Sequence, residues 1–183
     1  MEDLSLHILD IAENSITAGA SRIIIRIVED LDANMFLLEI SDNGKGMEKD
    51  MYEHACDPFY TTRTTRKVGL GIPLLAQSAQ DCNGSLSIHT EKGKGTRITA
   101  TFQHDHIDRK PLGDIDKTMI VLIASNPDID FLLEYKKNND MYILDTSELK
   151  KELEDVPINN IEVIKIIKDD IRAWLIQVNN MIK

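Results

Sequence analysis

Hydrophobic positions near the start of the chain recur at helical spacing: Leu4, Ile8 and Ile11, continued by Ser15, fall three and four apart, with Leu9, Ala12 and Ile16 beside them. That is the spacing of one buried helical stripe, and it predicts a helix from Asp3 to Thr17. Gly19 suits a left-handed cap at its end. Arg22 to Glu29 is rich in β-branched residues and reads as a strand, Leu31 to Asn34 as a turn, and Met35 to Ser41 as the second strand of a hairpin. Glu48 to about Ala55 reads as a short helix. Asp57 to Val68 has no apolar period. Gly69-Leu-Gly71 opens a helix that runs to Asp81, with Pro73 tolerated in its first turn. Ser85 to Glu91 and Arg97 to Gln103 alternate at period two around a turn at Gly93 to Thr96, a second hairpin.

The text changes after Gln103. A helix is predicted from Asp114 to about Ser125. Asp130 to Tyr135, Lys136 to Asp140 and Met141 to Asp145 read as strand, turn and strand. Thr146 starts a helix with a hydroxyl cap. Beyond Pro157 a last helix spans Asn159 to about Met181. Its long stripe of Ile161, Ile164, Ile167, Ile171, Trp174, Leu175 and Val178 is read as covering the sheet, with a dimer or partner face as the alternative.

Several polar positions interrupt this pattern in ways that suggest chemistry. Asp10 and Asn14 lie one turn apart on one helix face. A carboxamide oxygen can ligate magnesium, and a carboxylate can polarise an attacking water; a solvated polar face would look the same. Asp42-Asn-Gly-Lys-Gly-Met47 follows directly on the second strand. Gly44 and Gly46 permit close backbone approach to a flat ligand, and Asp42 could accept from an exocyclic amine; a plain turn is the alternative. Asp57 to Val68 is dense in hydroxyls and cations, with Arg63, Arg66 and Lys67 suited to phosphate oxygens. It borders the glycines of the next helix, whose N-terminus offers free N–H groups to an anion. His7 reads as a packed histidine. His104 to Asp108 reads as a surface connector, since its spacing is poor for a metal.

With 31 acidic against 21 basic residues, the net charge of −10 argues against a broad nucleic-acid surface. Two cysteines without a CxxC pair fit a reducing cytoplasm. No apolar run reaches membrane-spanning length, and the acidic start is unlike a signal peptide, so neither a membrane nor an export role is expected.

Taken in order, Asp10/Glu13-Asn14, Asp42-x-Gly-x-Gly46, Pro58-Phe-Tyr-Thr-Thr62, Gly69-Leu-Gly71 and Gly93-x-Gly-Thr96 resemble the GHKL ATPase superfamily, which has the Bergerat fold. The superfamily includes histidine kinases, anti-sigma-factor kinases, gyrases, mismatch-repair ATPases and heat-shock chaperones. The resemblance covers about residues 4 to 103. Its back half looks most like a histidine-kinase catalytic domain and its front like a mismatch-repair ATPase. The chain also resembles a small group of ATP-binding proteins from anaerobes that share the opening segment.

The resemblance implies an α/β two-layer sandwich, a mostly antiparallel sheet with helices on one face, and the pattern after Gln103 adds a small C-terminal α/β extension. Residues 1–104 would form the ATPase domain and 105–183 the extension. ATP and Mg2+ would be the ligands, with Asn14 holding the metal. Asp42 would receive the adenine amine, with Gly46 giving the ring room and Thr96 supporting nearby hydrogen bonds. Phe59 would anchor a lid, and Gly69 and Gly71 would line the triphosphate. Gly44, Met47, Thr61, Thr62, Arg63, Arg66, Lys67, Leu70 and Gly95 complete the expected nucleotide contacts. Asp10 stands where hydrolytic members carry a glutamate as general base. Its side chain is one methylene shorter, which implies slow hydrolysis or another use of ATP.

Only three residues precede Leu4, so a self-contained histidine kinase with its own acceptor hairpin is not expected. The expected function is binding and slow hydrolysis of Mg-ATP, with lid closure regulating a protein partner. The rivals are a kinase acting on another chain and a nucleotide sensor without turnover.

Overall fold

Asp3 starts the first helix by local chemistry. In the computed structural model, which describes residues 2–47 and 71–180, its carboxylate accepts from the Leu6 N–H at 3.0 Å and the Ser5 hydroxyl at 2.8 Å. Helix α1 (Leu4–Thr17) buries Leu4, Ile8, Ile11 and Ala12, and Gly19 at φ +76° turns the chain out of it. Strands β1 (Arg22–Asp30) and β2 (Met35–Asp42) form the first hairpin. The expected helix from Glu48 to Ala55, the basic stretch Asp57 to Val68, Gly69 and Leu70 lie outside the described residues. Helix α2 (Gly71–Asp81), strands β3 (Ser85–Glu91) and β4 (Gly95–Gln103), and helix α3 (Ile115–Ser125) follow. Strands β5 (Asp130–Lys137) and β6 (Asp140–Asp145) and helices α4 (Thr146–Glu152) and α5 (Ile161–Asn180) complete the order.

The strands form one six-stranded sheet in the order β3-β4-β2-β1-β5-β6. All neighbours are antiparallel except β1 and β5, which run parallel from Arg22↔Asp130 to Glu29↔Lys137. The two-layer architecture expected from the sequence is therefore present, and β5 and β6 extend the same sheet. Period two decides the faces. Ile23, Ile25, Ile27, Phe36, Leu38, Ile40, Ile98, Phe102, Phe131 and Leu133 point to the side where α1, α2, α3 and α5 pack, in one continuous core. The opposite face carries Arg26 between Glu39 (3.3 Å) and Glu134 (2.7 Å).

The apolar stripe of α5 covers this sheet. Ile167 and Ile171 are buried, and Trp174 rests on the rings of Tyr135 and Tyr142 at 4.8 and 5.4 Å. Ile161, expected in that stripe, is 82% exposed because it starts the helix beyond the sheet's cover. Three local expectations also change. Strand β4 begins at Gly95 rather than Arg97, because Gly95 and Thr96 already pair with Glu91 and Thr90. The strands at 130–137 and 140–145 leave a two-residue turn, with Asn138 at φ +52°. Helix α4 is capped by the Asp145 carboxylate on the Ser147 N–H (2.9 Å), not by Thr146, whose hydroxyl instead accepts from the Phe131 N–H at 2.7 Å. Among the described residues no helix is long and apolar enough to cross a membrane.

Candidate functional site

A cavity of about 360 Å3 opens between α1, the end of β2 and the start of β4, within the size range of small-molecule sites. Helix α1 contributes Ile11, Asn14, Ser15 and Ala18 beyond its end; the loop after β2 contributes Asp42, Lys45, Gly46 and Met47; Ile72 of α2 and Thr96 and Ile98 of β4 close it. Five residues expected at the site, Asn14, Asp42, Gly46, Met47 and Thr96, thus share one wall-to-wall space. Helical spacing put Asn14 on the polar side of α1, and the last pair of the β2–β4 ladder, Asp42↔Thr96, sets those two side by side.

Asp42 is held but not used up. Its Oδ2 accepts from the Ser15 hydroxyl at 2.7 Å and its Oδ1 from the Gly44 N–H at 2.8 Å. A carboxylate has about four acceptor positions, so lone pairs remain for a donor in the cavity. Behind it, Asn43 accepts from the Ser21 and Arg22 N–H groups, each at 2.9 Å, and ties the loop to the turn after α1.

The glycines work through packing. Gly46 has φ +67°, and a Cβ there would lie 2.2 Å from the Glu91 carbonyl oxygen. The missing side chain therefore faces the β3–β4 turn, while the backbone lines the cavity. Gly44 has Ala18 O and Asp42 Oδ1 each 3.0 Å from the place of a Cβ. Gly95, at φ +97°, seats against the Asp42 carbonyl at 1.9 Å from its own absent Cβ. Thr90, not singled out in the sequence, joins these pieces: it accepts from the Met47 N–H at 2.8 Å and lies 3.0 Å from the Thr96 hydroxyl.

Asp10 stands apart from the cavity wall. A Cβ on Gly71 would meet its Oδ2 at 1.7 Å, so the carboxylate occupies the space at the start of α2, where a helix dipole favours a negative charge. His7, one turn earlier, is fully buried, and among the described residues neither ring nitrogen is hydrogen-bonded. Burial, aided by Lys110, pushes its imidazole down to about 4. Phe59, Thr61, Thr62, Arg63, Arg66, Lys67, Gly69 and Leu70 lie outside the described residues.

Sequence reasoning missed Ser15, Thr90 and Lys45. Ser15 was readable as the third member of a polar run, Glu13-Asn-Ser. Thr90 had no signal, because its role depends on the β3–β4 register.

The arrangement can accept a donor-bearing planar group at Asp42, with apolar cover from Ile11, Ile72 and Ile98. A hard cation takes oxygen ligands, largely water and ligand oxygens in magnesium sites, so one carboxamide at Asn14 fits a metal that arrives with an anionic ligand.

Residues 2–106 match the family model described as histidine kinase-, DNA gyrase B- and HSP90-like ATPase. Among curated proteins the chain is similar to sporulation kinase E of Bacillus subtilis, 33% identical over 75 residues, which are 41% of this chain and 10% of that protein. It is also similar to sporulation kinase C of the same organism, 28% identical over 88 residues, 48% of this chain and 20% of that one. The matched stretch is thus a small part of those relatives. Among solved structures, the N-terminal domain of a DNA repair protein superposes with a TM-score of 0.56 at 20% identity, covering 79% of this chain and 53% of that one.

Proposed function

The chain belongs to the histidine kinase-, DNA gyrase B- and HSP90-like ATPase family, and from that premise we propose that it binds Mg-ATP and hydrolyses it slowly to regulate a protein partner. The observation that carries this reading is Asp42: a carboxylate positioned from two sides at a cavity it shares with Asn14 and Thr96. Adenine presents an exocyclic amine as donor, which matches the spare acceptor capacity of Asp42, and Ile11, Ile72 and Ile98 would cover the ring. Asn14 would hold magnesium, which supplies charge neutralisation for the phosphates when bound. Gly71 and the segment before it would line the phosphates, as the family resemblance implies, and the hydroxyls and cations of Thr61, Thr62, Arg63, Arg66 and Lys67 suit phosphate oxygens and a covering role. Residues 1–104 would carry this site, with 105–183 as the C-terminal extension.

The aspartate at position 10, one methylene shorter than the glutamate of hydrolytic members, supports slow turnover. Its carboxylate lies against Gly71 and not on the cavity wall. A reacting group misplaced by about 1 Å can cost a hundredfold in rate. The similarity to two sporulation kinases favours a second reading, phosphoryl transfer to a separate acceptor chain.

Radiolabelled ATP with the purified protein separates the readings. Released phosphate supports hydrolysis, label on an added partner supports transfer, and tight binding with neither supports a sensor. The Asp10→Asn variant is expected to keep ATP and lose phosphate release. Unchanged release by that variant removes Asp10 from the mechanism.

A further inference from the structure

Behind the candidate nucleotide cavity, on the open face of the sheet, lies a second cavity of about 350 Å3. Asp42 and Thr96 border both. The ladder explains what it contains. His89 of β3 pairs with Arg97 of β4, and Arg97 with Ser41 of β2, so an imidazole, a guanidinium and a hydroxyl stand in one row on one face. Arg22, at the start of β1, and Lys94, in the β3–β4 turn, border the same space.

Four basic side chains thus surround one cavity in a chain whose net charge is −10. Each of the three permanent cations has a carboxylate neighbour. Arg22 is fixed by Asp145 at 2.8 Å, Lys94 meets Glu91 at 2.7 Å on the surface, and Arg97 keeps only a long 3.9 Å approach to Glu39. None of those three carboxylates borders the cavity. Among the described residues the one acid that does is Asp42, anchored by Ser15 and Gly44 and assigned to the donor group in the other cavity. Basic groups directly opposite one another on neighbouring strands repel once both are charged, and an anion between them would relieve that repulsion.

We propose that this cavity is an anion site for a phosphate group, with Arg97 and His89 as its principal donors and Arg22, Lys94 and Ser41 around them. A guanidinium fork suits phosphate oxygens, and imidazole, ammonium and hydroxyl donors complete a mixed set of the kind that phosphate recognition uses. The group can arrive free or on a phosphorylated side chain of a partner protein. The site stands on residues separate from Asn14 and Gly46, so it holds whether or not ATP occupies the other cavity.

The test is a titration of the full chain, followed by amide NMR shifts, with inorganic phosphate, a phosphoserine peptide and its unphosphorylated form. Saturable shifts centred on His89 and Arg97 are expected, and Arg97→Ala weakens them about tenfold. Equal affinity for phosphate and phosphopeptide assigns a free ligand. Tighter binding of the phosphopeptide than of either control assigns a phosphorylated partner, and both results support the site. Shifts confined to Asn14 and Gly46, no saturable shift at His89 or Arg97, or an Arg97→Ala titration that matches the parent overturns it. Arg97 is exposed, so the variant keeps its fold; thermal melting of Arg97→Ala checks this directly.

Discussion

Two carboxylates sit near opposite ends of the sheet, and they do different work. Glu29, near the end of β1, is buried and fully engaged. The Tyr135 hydroxyl donates to one oxygen, while His104 Nε2 at 2.9 Å and Lys137 Nζ at 3.5 Å meet the other. Burial alone would raise its pKa, but the bonds from Tyr135 and His104 and the charge of Lys137 hold it below the usual carboxylate range. Asp42, at the end of β2, is half-buried, has Ser15 and Gly44 as its only partners among the described residues, and borders cavities. Glu29 is saturated by its neighbours, whereas Asp42 keeps acceptor capacity beside a cavity, as the proposed nucleotide role requires. His104 to Asp108 is the surface connector expected between β4 and α3, with Ile107 93% exposed, but the His104 ring turns inward and closes the Glu29 network.

The comparison breaks most clearly at Glu29. Glu29→Ala leaves the buried Tyr135 hydroxyl without its acceptor and Lys137, still bonded to Asn179, without its counter-charge, so a loss of about 4 kcal/mol is expected in urea unfolding. Nucleotide affinity of the folded fraction should stay within about twofold, since the network is remote from the cavity. An affinity loss as large as the stability loss would erase the distinction between the two carboxylates.

His7 sharpens it from the other side, as a buried imidazole whose ring nitrogens make no hydrogen bond of good geometry among the described residues. Its folded pKa of about 4 lies below the ordinary value of 6.5, so the unfolded chain takes up the proton first as pH falls. Its contribution is complete above pH 6.5 and drains away towards pH 4, about 3 kcal/mol in all. Glu29, also lowered, loses its contribution as pH falls below the ordinary carboxylate range. Unfolding free energies measured across that interval should therefore decline with acid. In His7→Leu the slope between pH 6.5 and 4 should flatten.

Asp42→Asn should cost about a hundredfold in ATP affinity, measured by calorimetry, with little change in melting temperature. If this variant binds ATP normally, the adenine assignment is wrong. The smallest effect is expected from Ser15→Ala, which frees Asp42 to swing: about fivefold weaker ATP binding, or roughly 1 kcal/mol. A loss as large as that of Asp42→Asn would place Ser15 in direct contact with the ligand.

The sequence by itself determined what depends on neighbours in the chain. The period of three and four placed α1, alternation placed β1 to β4, and Gly-containing corners marked the loops, because helix and strand faces follow from backbone periodicity. The polar face of Asp10 and Asn14 was readable for the same reason. Tertiary structure decided everything that depends on register between distant strands. Only the parallel pairing of β5 with β1 brings Tyr135 to Glu29, only the β2–β4 ladder sets Thr96 beside Asp42, and only the β3–β4 register aligns His89 with Arg97. The destination of the Asp10 carboxylate, against Gly71 rather than on the cavity wall, was likewise set by how α1 and α2 pack. Local spacing fixes which way a side chain points along its own element; which partner it meets is fixed by how elements far apart in the chain come to share a surface.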